Sequence, residues 1–175
     1  MSIHTSDPFA TPDDAKSPLR RLRGRLPAAV TLWTALGRDA RPAGLTVSST
    51  VVVDGEPGRL LGVIDPESDL YAAVQASGRF AVIVLAAADR RIADIFAGIM
   101  PAPGGPFGDG WVHTPYGPVP AGAPSWAGCR LDATTAVGWG VLVTATVEGV
   151  RLGEDDPPLI HYRGRYADGP QGGPA

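Results

Sequence analysis

The sequence predicts a mainly β fold: about six strands closed into a small antiparallel barrel, with a few short helices. Three observations predict it. Six β-type runs are connected mostly by turns, with two short helices among them. The helical patterns are short and do not alternate strictly with strands, which argues against a doubly wound parallel sheet. Phe80–Ala86 (F-A-V-I-V-L-A) is continuously apolar, as in a strand buried on both faces. Closing such a set of strands removes exposed sheet edges.

The elements follow in order. L-R-R-L-R-G-R-L (19–26) suggests a short helix stopped by Gly24 and Pro27. Its arginines invite a nucleic-acid reading, but no aromatic platform or further basic patch supports one, and a solvated helix face beside an acidic tail is sufficient. Ala28–Leu36 is the first strand, Gly44–Asp54 the second and Leu60–Ile64 the third, after a turn through Gly55, Pro57 and Gly58. Ser68 can cap a helix that Gly78 terminates. Phe80–Ala86 is the fourth strand. Asp89 can cap a second helix that ends before Gly98, with Ile92, Ile95 and Phe96 on one face. Gly128–Ala133 and Val141–Val150 complete the strands. In the last, Val141, Val143, Ala145 and Val147 alternate with Leu142, Thr144, Thr146 and Glu148, so one face is solvated.

Pro101–Pro124 holds seven Pro and six Gly and reads as a long irregular loop, neither strand nor helix. Its Phe107, Trp111, His113 and Tyr116 either cover a flat ligand or anchor the loop to the body. Residues 1–18, polar with Pro8, Pro12 and Pro18, and 168–175, rich in Pro and Gly, are expected as flexible tails around one domain over 19–167.

At 175 residues the chain suits a single domain with a real core. Apolar residues make up 44% and charged residues 19%, a globular composition. A net charge of −3 gives no general attraction to nucleic acid or anionic membrane. No apolar run approaches the ~20 residues that a spanning helix needs, and the N-terminus lacks a secretory pattern. A soluble, cytoplasmic protein is expected. The lone Cys129, in W-A-G-C-R-L, fits a buried structural thiol in a reducing compartment.

Familiar catalytic patterns are missing. The chain has no G-x-G-x-x-G after a strand, no G-x-x-x-x-G-K-[ST] and no G-x-S-x-G. His4, His113 and His161 are far apart, and no Cys/His pair has zinc-like spacing. No side chain announces itself as catalytic and no metal is implied. A bound cofactor can carry the reactive chemistry while the protein supplies shape and orientation.

One segment suits that role. Arg41–Thr50 (R-P-A-G-L-T-V-S-S-T) packs hydroxyls at Thr46, Ser48, Ser49 and Thr50 behind Gly44, where a Cβ would restrict the backbone angles. Short hydroxyls and free N–H groups suit a polar, planar or phosphorylated ligand. An ordinary edge strand with a Ser/Thr-rich end accounts for the same residues.

Three motifs in order, P-A-G-L-T-V-S-S (42–49), S-G-R-F-A-V-I-V-L (77–85) and P-L-I-H-Y-R-G-R-Y (158–166), resemble those of the flavin reductase-like, FMN-binding split-barrel family. The likeness runs over about residues 19–167. It implies a six-stranded antiparallel Greek-key split barrel, homodimeric, with flavin near the subunit interface. It also implies FMN (with FAD or another flat cofactor as alternatives), NAD(P)H as hydride donor, and a monooxygenase as recipient of reduced flavin. Carried over by position, Thr46, Val47, Ser48 and Ser49 line the flavin and Ser68 sits on its phosphate side. Trp139, His161, Arg163 and Tyr166 fall on the nicotinamide side.

The chain also departs from the family pattern. Asp69 and Leu70 stand where many relatives have Arg and Thr. Ile83 replaces an Asn. Gly138-Trp139-Gly140 replaces a G-D-H motif, so Trp139 either stacks on a ring or joins the core. His161-Tyr162 reverses the usual order. These departures keep a second reading open, a barrel that binds FMN without turnover of free nicotinamide, and a third, a structural dimer with a vacated pocket.

Overall fold

The computed structural model describes residues 17–154 and 156–169. Most of both expected tails lies outside them; Pro18, placed in the first tail, instead opens a helix.

The chain order is α1 (Pro18–Gly24), β1 (Ala28–Ala29), β2 (Thr31–Leu36), β3 (Pro42–Val47), β4 (Val51–Val53), β5 (Arg59–Ile64), α2 (Asp69–Ser77), β6 (Arg79–Val84), α3 (Arg90–Phe96), β7 (Trp111–Thr114), β8 (Gly117–Pro120), β9 (Trp126–Val137), β10 (Gly140–Arg151), β11 (Leu159–Tyr162) and β12 (Arg165–Asp168). Among the described residues the fold is mainly β with three α-helices, and every described strand pairing between these elements is antiparallel. One seven-stranded sheet runs β3-β2-β6-β9-β10-β5-β4, beside a three-stranded sheet β1-β11-β12 and the β7-β8 hairpin.

Several expected elements are present. Ser68 Oγ accepts from the Tyr71 N–H at the start of α2, and Gly78 ends that helix in the left-handed region at φ 68°. Phe80 to Ile83 are buried on both faces of β6. In β10 Val141, Val143 and Ala145 point inward, while Thr146 is buried against expectation. A bulge between Thr144 and Ala145 shifts the register there. The Thr146 hydroxyl then joins Asp132, Arg59 and Arg130 in a polar cluster.

Three expectations are corrected. The run Gly44–Asp54 is not one strand, because the hydroxyls of Ser49 and Thr50 bind neighbouring strands and break it into β3 and β4. The first run also breaks, at Val30, and β1 turns away to pair with β11. The proline-rich loop contains a regular hairpin, with Trp111 opposite Pro120 and His113 opposite Pro118. Proline is tolerated because a two-stranded ladder leaves alternate N–H positions unpaired. Phe107 and Trp111 pack edge-on against Phe96 of α3, at 5.0 and 5.6 Å between centroids, so these aromatics anchor the loop.

The core has two centres. Trp33 stacks on Phe80 at 4.8 Å within the first. The second gathers Leu32, Ile83, Leu85, Ala93, Phe96 and Leu159 under α3. The glycines of β3 and β5 serve these contacts. A Cβ on Gly44 would lie 2.7 Å from the Phe96 ring, and one on Gly62 would lie 2.6 Å from Trp33. Gly44 is therefore required by close packing, not by unusual backbone angles as the sequence suggested. Its place in β3 lets α3 settle onto that strand, and Thr46 Oγ1 donates to the Ala93 carbonyl at 2.7 Å.

Candidate functional site

A groove of about 840 Å³ runs between α1, the C-terminal end of β3, the end of β5 and the β11–β12 turn. That volume lies within the range of small-molecule sites. β3 is an edge strand with β2 on one flank only, so half of its backbone groups lack a strand partner there.

The hydroxyl segment divides its work. Thr50 Oγ1 contacts Thr31 Oγ1 at 2.8 Å, and the Trp33 indole N–H donates to both hydroxyls at 3.1 Å. Ser49 bridges to the backbone of Val63. Thr46 is spent on Ala93. Ser48 lines the groove, and its hydroxyl has no protein hydrogen-bond partner among the described residues. It alone of the four is free to bind a ligand. Val47 also lines the groove, although its side chain belongs mostly to the core.

The opposite wall is the β11–β12 hairpin. Arg163 and Gly164 both have positive φ, 51° and 76°, as a type I′ turn requires. The Arg163 N–H donates to the Gly24 carbonyl at 2.9 Å and so fastens the turn to the end of α1. The Arg163 guanidinium lies 5.4 Å from the Tyr162 ring centre. His161 is half-buried, and its imidazole pKa is pushed below the ordinary 6.5, first by burial and then by the positive charge of Arg23. Tyr166 is the cross-strand partner of His161, with ring centres 6.0 Å apart. It stands behind the wall and not in the groove lining. Burial, and then Asp94, raise its phenol pKa against an opposing effect of Arg90.

The groove thus gathers Thr46, Val47, Ser48, Ser49, His161 and Arg163 from distant parts of the chain. It does not gather Ser68, whose hydroxyl is used twice within its own turn, accepting from Tyr71 and donating to the Asp65 carbonyl at 2.7 Å. Trp139 is fully exposed at the tip of the β9–β10 hairpin, so it is not core. That tip adjoins the groove's far end: Val141 pairs with Ile64, and a Cβ on Gly140 would lie 3.2 Å from the Ile64 carbonyl oxygen. Ile83, at the position of the family's Asn, is buried in the second core centre.

Sequence reasoning missed the arginines of α1. Arg20, Arg21, Arg23 and Arg25 of α1 and its end line the groove with Arg163, and Asp65 is the one carboxylate among the described lining residues. The repeated Arg in L-R-R-L-R-G-R-L was visible but read as a solvated face. Among the described residues no group of His, Cys, Asp and Glu is placed to hold a metal ion, and no helix is long and apolar enough to cross a membrane. Cys129 is fully buried, and burial, reinforced by Glu148, pushes its thiol up to about 12.

Comparison with known proteins agrees with this picture. The profile of the flavin reductase like domain matches residues 23–170. The FMN reductase (NADH) RutF of Ancylobacter novellus is 32% identical over 157 residues, covering 89% of this chain and 86% of the relative. The reductase component of 4-hydroxyphenylacetate 3-monooxygenase from Thermus thermophilus is 28% identical over 152 residues, covering 86% and 95%. The styrene monooxygenase flavin reductase of Pseudomonas putida S12 shares the fold with a TM-score of 0.78 at 19% identity, covering 89% of this chain and 99% of that one. A matched profile over most of the chain, with the three motifs placed on strands of the expected kind, shows that this protein belongs to the flavin reductase like domain family.

Proposed function

We propose that this protein is an NAD(P)H-dependent flavin reductase whose groove between α1, β3 and the β11–β12 turn binds FMN. The observation that carries the reading is the convergence on one groove of the free Ser48 hydroxyl, an unpaired strand edge and an arginine-rich wall, in a member of this family. These groups suit a flavin, which has a polar ring edge and an anionic phosphate. When bound, flavin supplies the redox chemistry by accepting hydride from the reduced nicotinamide.

The chain's own residues bind and orient. Ser48 offers a hydrogen bond at the ring edge, and the β3 edge offers backbone N–H groups. The body of Val47 backs the ring. Burial and Arg23 disfavour the charged imidazolium of His161, so it places a polar ring beside the flavin without a competing charge. Trp139, exposed at the groove's end, offers an aromatic face for nicotinamide. Positioning of this kind, with no nucleophile, accounts for most of what the protein contributes.

The reading extends to assembly. We read the seven-stranded sheet as a six-stranded Greek-key split barrel, with the two halves of the broken second run counted together. The Ser49 bridge from the end of β3 to β5 supports closure. Exposed Val51, Val52 and Val53 on β4 and Leu19, Leu22 and Leu26 around α1 form apolar surface that a second copy would cover. Reduced flavin would pass to a partner monooxygenase, as the relative's role as a monooxygenase component suggests. The reaction belongs in the cytoplasm, where NAD(P)H is available.

Purified protein mixed with FMN and NADH or NADPH should consume the nicotinamide, seen as loss of its reduced absorbance band. No loss above a protein-free control, with both nicotinamides, would end the reading. Slow reduction with yellow colour retained through desalting would favour the binding protein instead.

A further inference from the structure

We infer that the arginines of α1, chiefly Arg21, Arg23 and Arg25, form the phosphate clamp of the groove and make the site selective for phosphorylated flavins over riboflavin. This rests on the flavin reading of the groove and adds to it the residues that recognise the anionic end.

Three observations carry the inference. First, the start of α2 is unsuited to the task. Ser68 is spent within its own turn, and the next residue, Asp69, is acidic and faces a separate hollow with Arg38 and Arg41. A carboxylate in the first turn of a helix opposes a phosphate there. Second, Arg21, Arg23 and Arg25 line the groove and form no ion pair among the described residues, whereas Arg59, Arg79 and Arg130 of the sheet and Arg90 of α3 are paired with carboxylates. Unpaired guanidinium groups along one wall raise the local potential and suit bidentate binding of phosphate. Third, the clamp is held in place. The Arg163 N–H bond to the Gly24 carbonyl fixes the end of α1 against the β11–β12 turn, and the charge of Arg23 reaches into the groove strongly enough to disfavour protonation of His161.

α1 buries none of its own residues. Its arginines are therefore not held by the core, and they stand along the groove.

The test is titration of FMN and riboflavin, followed by quenching of flavin fluorescence, against wild type and the triple variant Arg21→Gln, Arg23→Gln, Arg25→Gln. Wild type should prefer FMN, and the variant should lose FMN affinity by about tenfold or more while riboflavin affinity changes by less than about threefold. Salt should weaken FMN binding to wild type more steeply than to the variant. The pair Arg38→Gln, Arg41→Gln, which removes charge from the other hollow, should leave FMN binding unchanged. Equal losses for both flavins, no loss for either, or an equal FMN loss in the Arg38/Arg41 variant would overturn the clamp. Wild type that binds riboflavin as tightly as FMN would overturn the clamp but leave the flavin site standing. Wild type that binds neither flavin would remove the flavin site itself, and the clamp with it.

Discussion

Ser49 and Val63 exchange two hydrogen bonds: the Val63 N–H donates to Ser49 Oγ at 3.0 Å, and Ser49 Oγ donates to the Val63 carbonyl at 2.8 Å. One hydroxyl thereby imitates the backbone of a neighbouring strand. It ties the end of β3 to β5 and shapes the floor of the groove between them. Replacing Ser49 with Ala should cost about 1–2 kcal/mol, since it removes two solvent-exposed hydrogen bonds that each contribute about 0.5–1 kcal/mol net, and should also weaken flavin binding by letting the two strands part. Urea unfolding and flavin titration check both effects. Flavin affinity equal to wild type would show that the groove does not depend on the bridge.

Ser48 should behave in the opposite way. Its hydroxyl has no partner to lose within the described residues, so Ser48→Ala should leave stability within about 0.5 kcal/mol of wild type. Flavin dissociation should rise by about three- to tenfold, the value of one net hydrogen bond. A variant that binds flavin normally would remove Ser48 from the site.

Trp139 is fully exposed, so its truncation leaves no cavity. Trp139→Ala should keep the melting temperature and the flavin affinity and raise KM for the reduced nicotinamide several-fold, about 1 kcal/mol of lost stacking. Steady-state kinetics decides it. An unchanged KM would mean that the hairpin tip faces solvent without a catalytic purpose.

His161 sets an acid limit on stability. Its folded pKa lies below the ordinary 6.5 because burial and Arg23 disfavour the imidazolium. As pH falls below about 6.5, the unfolded chain therefore takes up a proton that the folded chain refuses. Stability should fall with pH through that window and level off once the pH passes the lowered folded value. The wild type should show this loss in urea midpoints, and His161→Gln should flatten it. Removing the positive charge in Arg23→Gln should move the imidazole back towards its ordinary value in an NMR titration.

Cys129 should be inert. Its thiol is fully buried and raised to about 12, so almost no thiolate exists at neutral pH. A thiol reagent should modify it only after denaturation. Rapid labelling of the folded protein would show that the strand around it opens far more readily than the core packing implies.

The strand periodicity of β5, β6 and β10, the Ser68 and Gly78 caps of α2, and the antiparallel character of the sheet were legible in the sequence, because these follow from nearest-neighbour spacing and local backbone preference. The hydroxyl segment was legible as a candidate site, but its division of labour was not. Thr46, Ser49 and Thr50 bind Ala93, Val63 and the Thr31–Trp33 pair, partners 14 to 47 residues away in sequence. Nothing in T-V-S-S-T says which hydroxyl is left over.

The sequence by itself determined the fold class, the family motifs and the chemical inventory of the groove, since periodicity, capping and residue type are properties of short stretches of chain. Only the tertiary structure decided that the α1 arginines stand across from Ser48 and that Ser68 lies outside the groove. It also turned the Pro-rich loop into a hairpin pinned by Phe96. Each of these depends on long-range packing, where the position of one side chain is set by a strand or helix that no local pattern specifies.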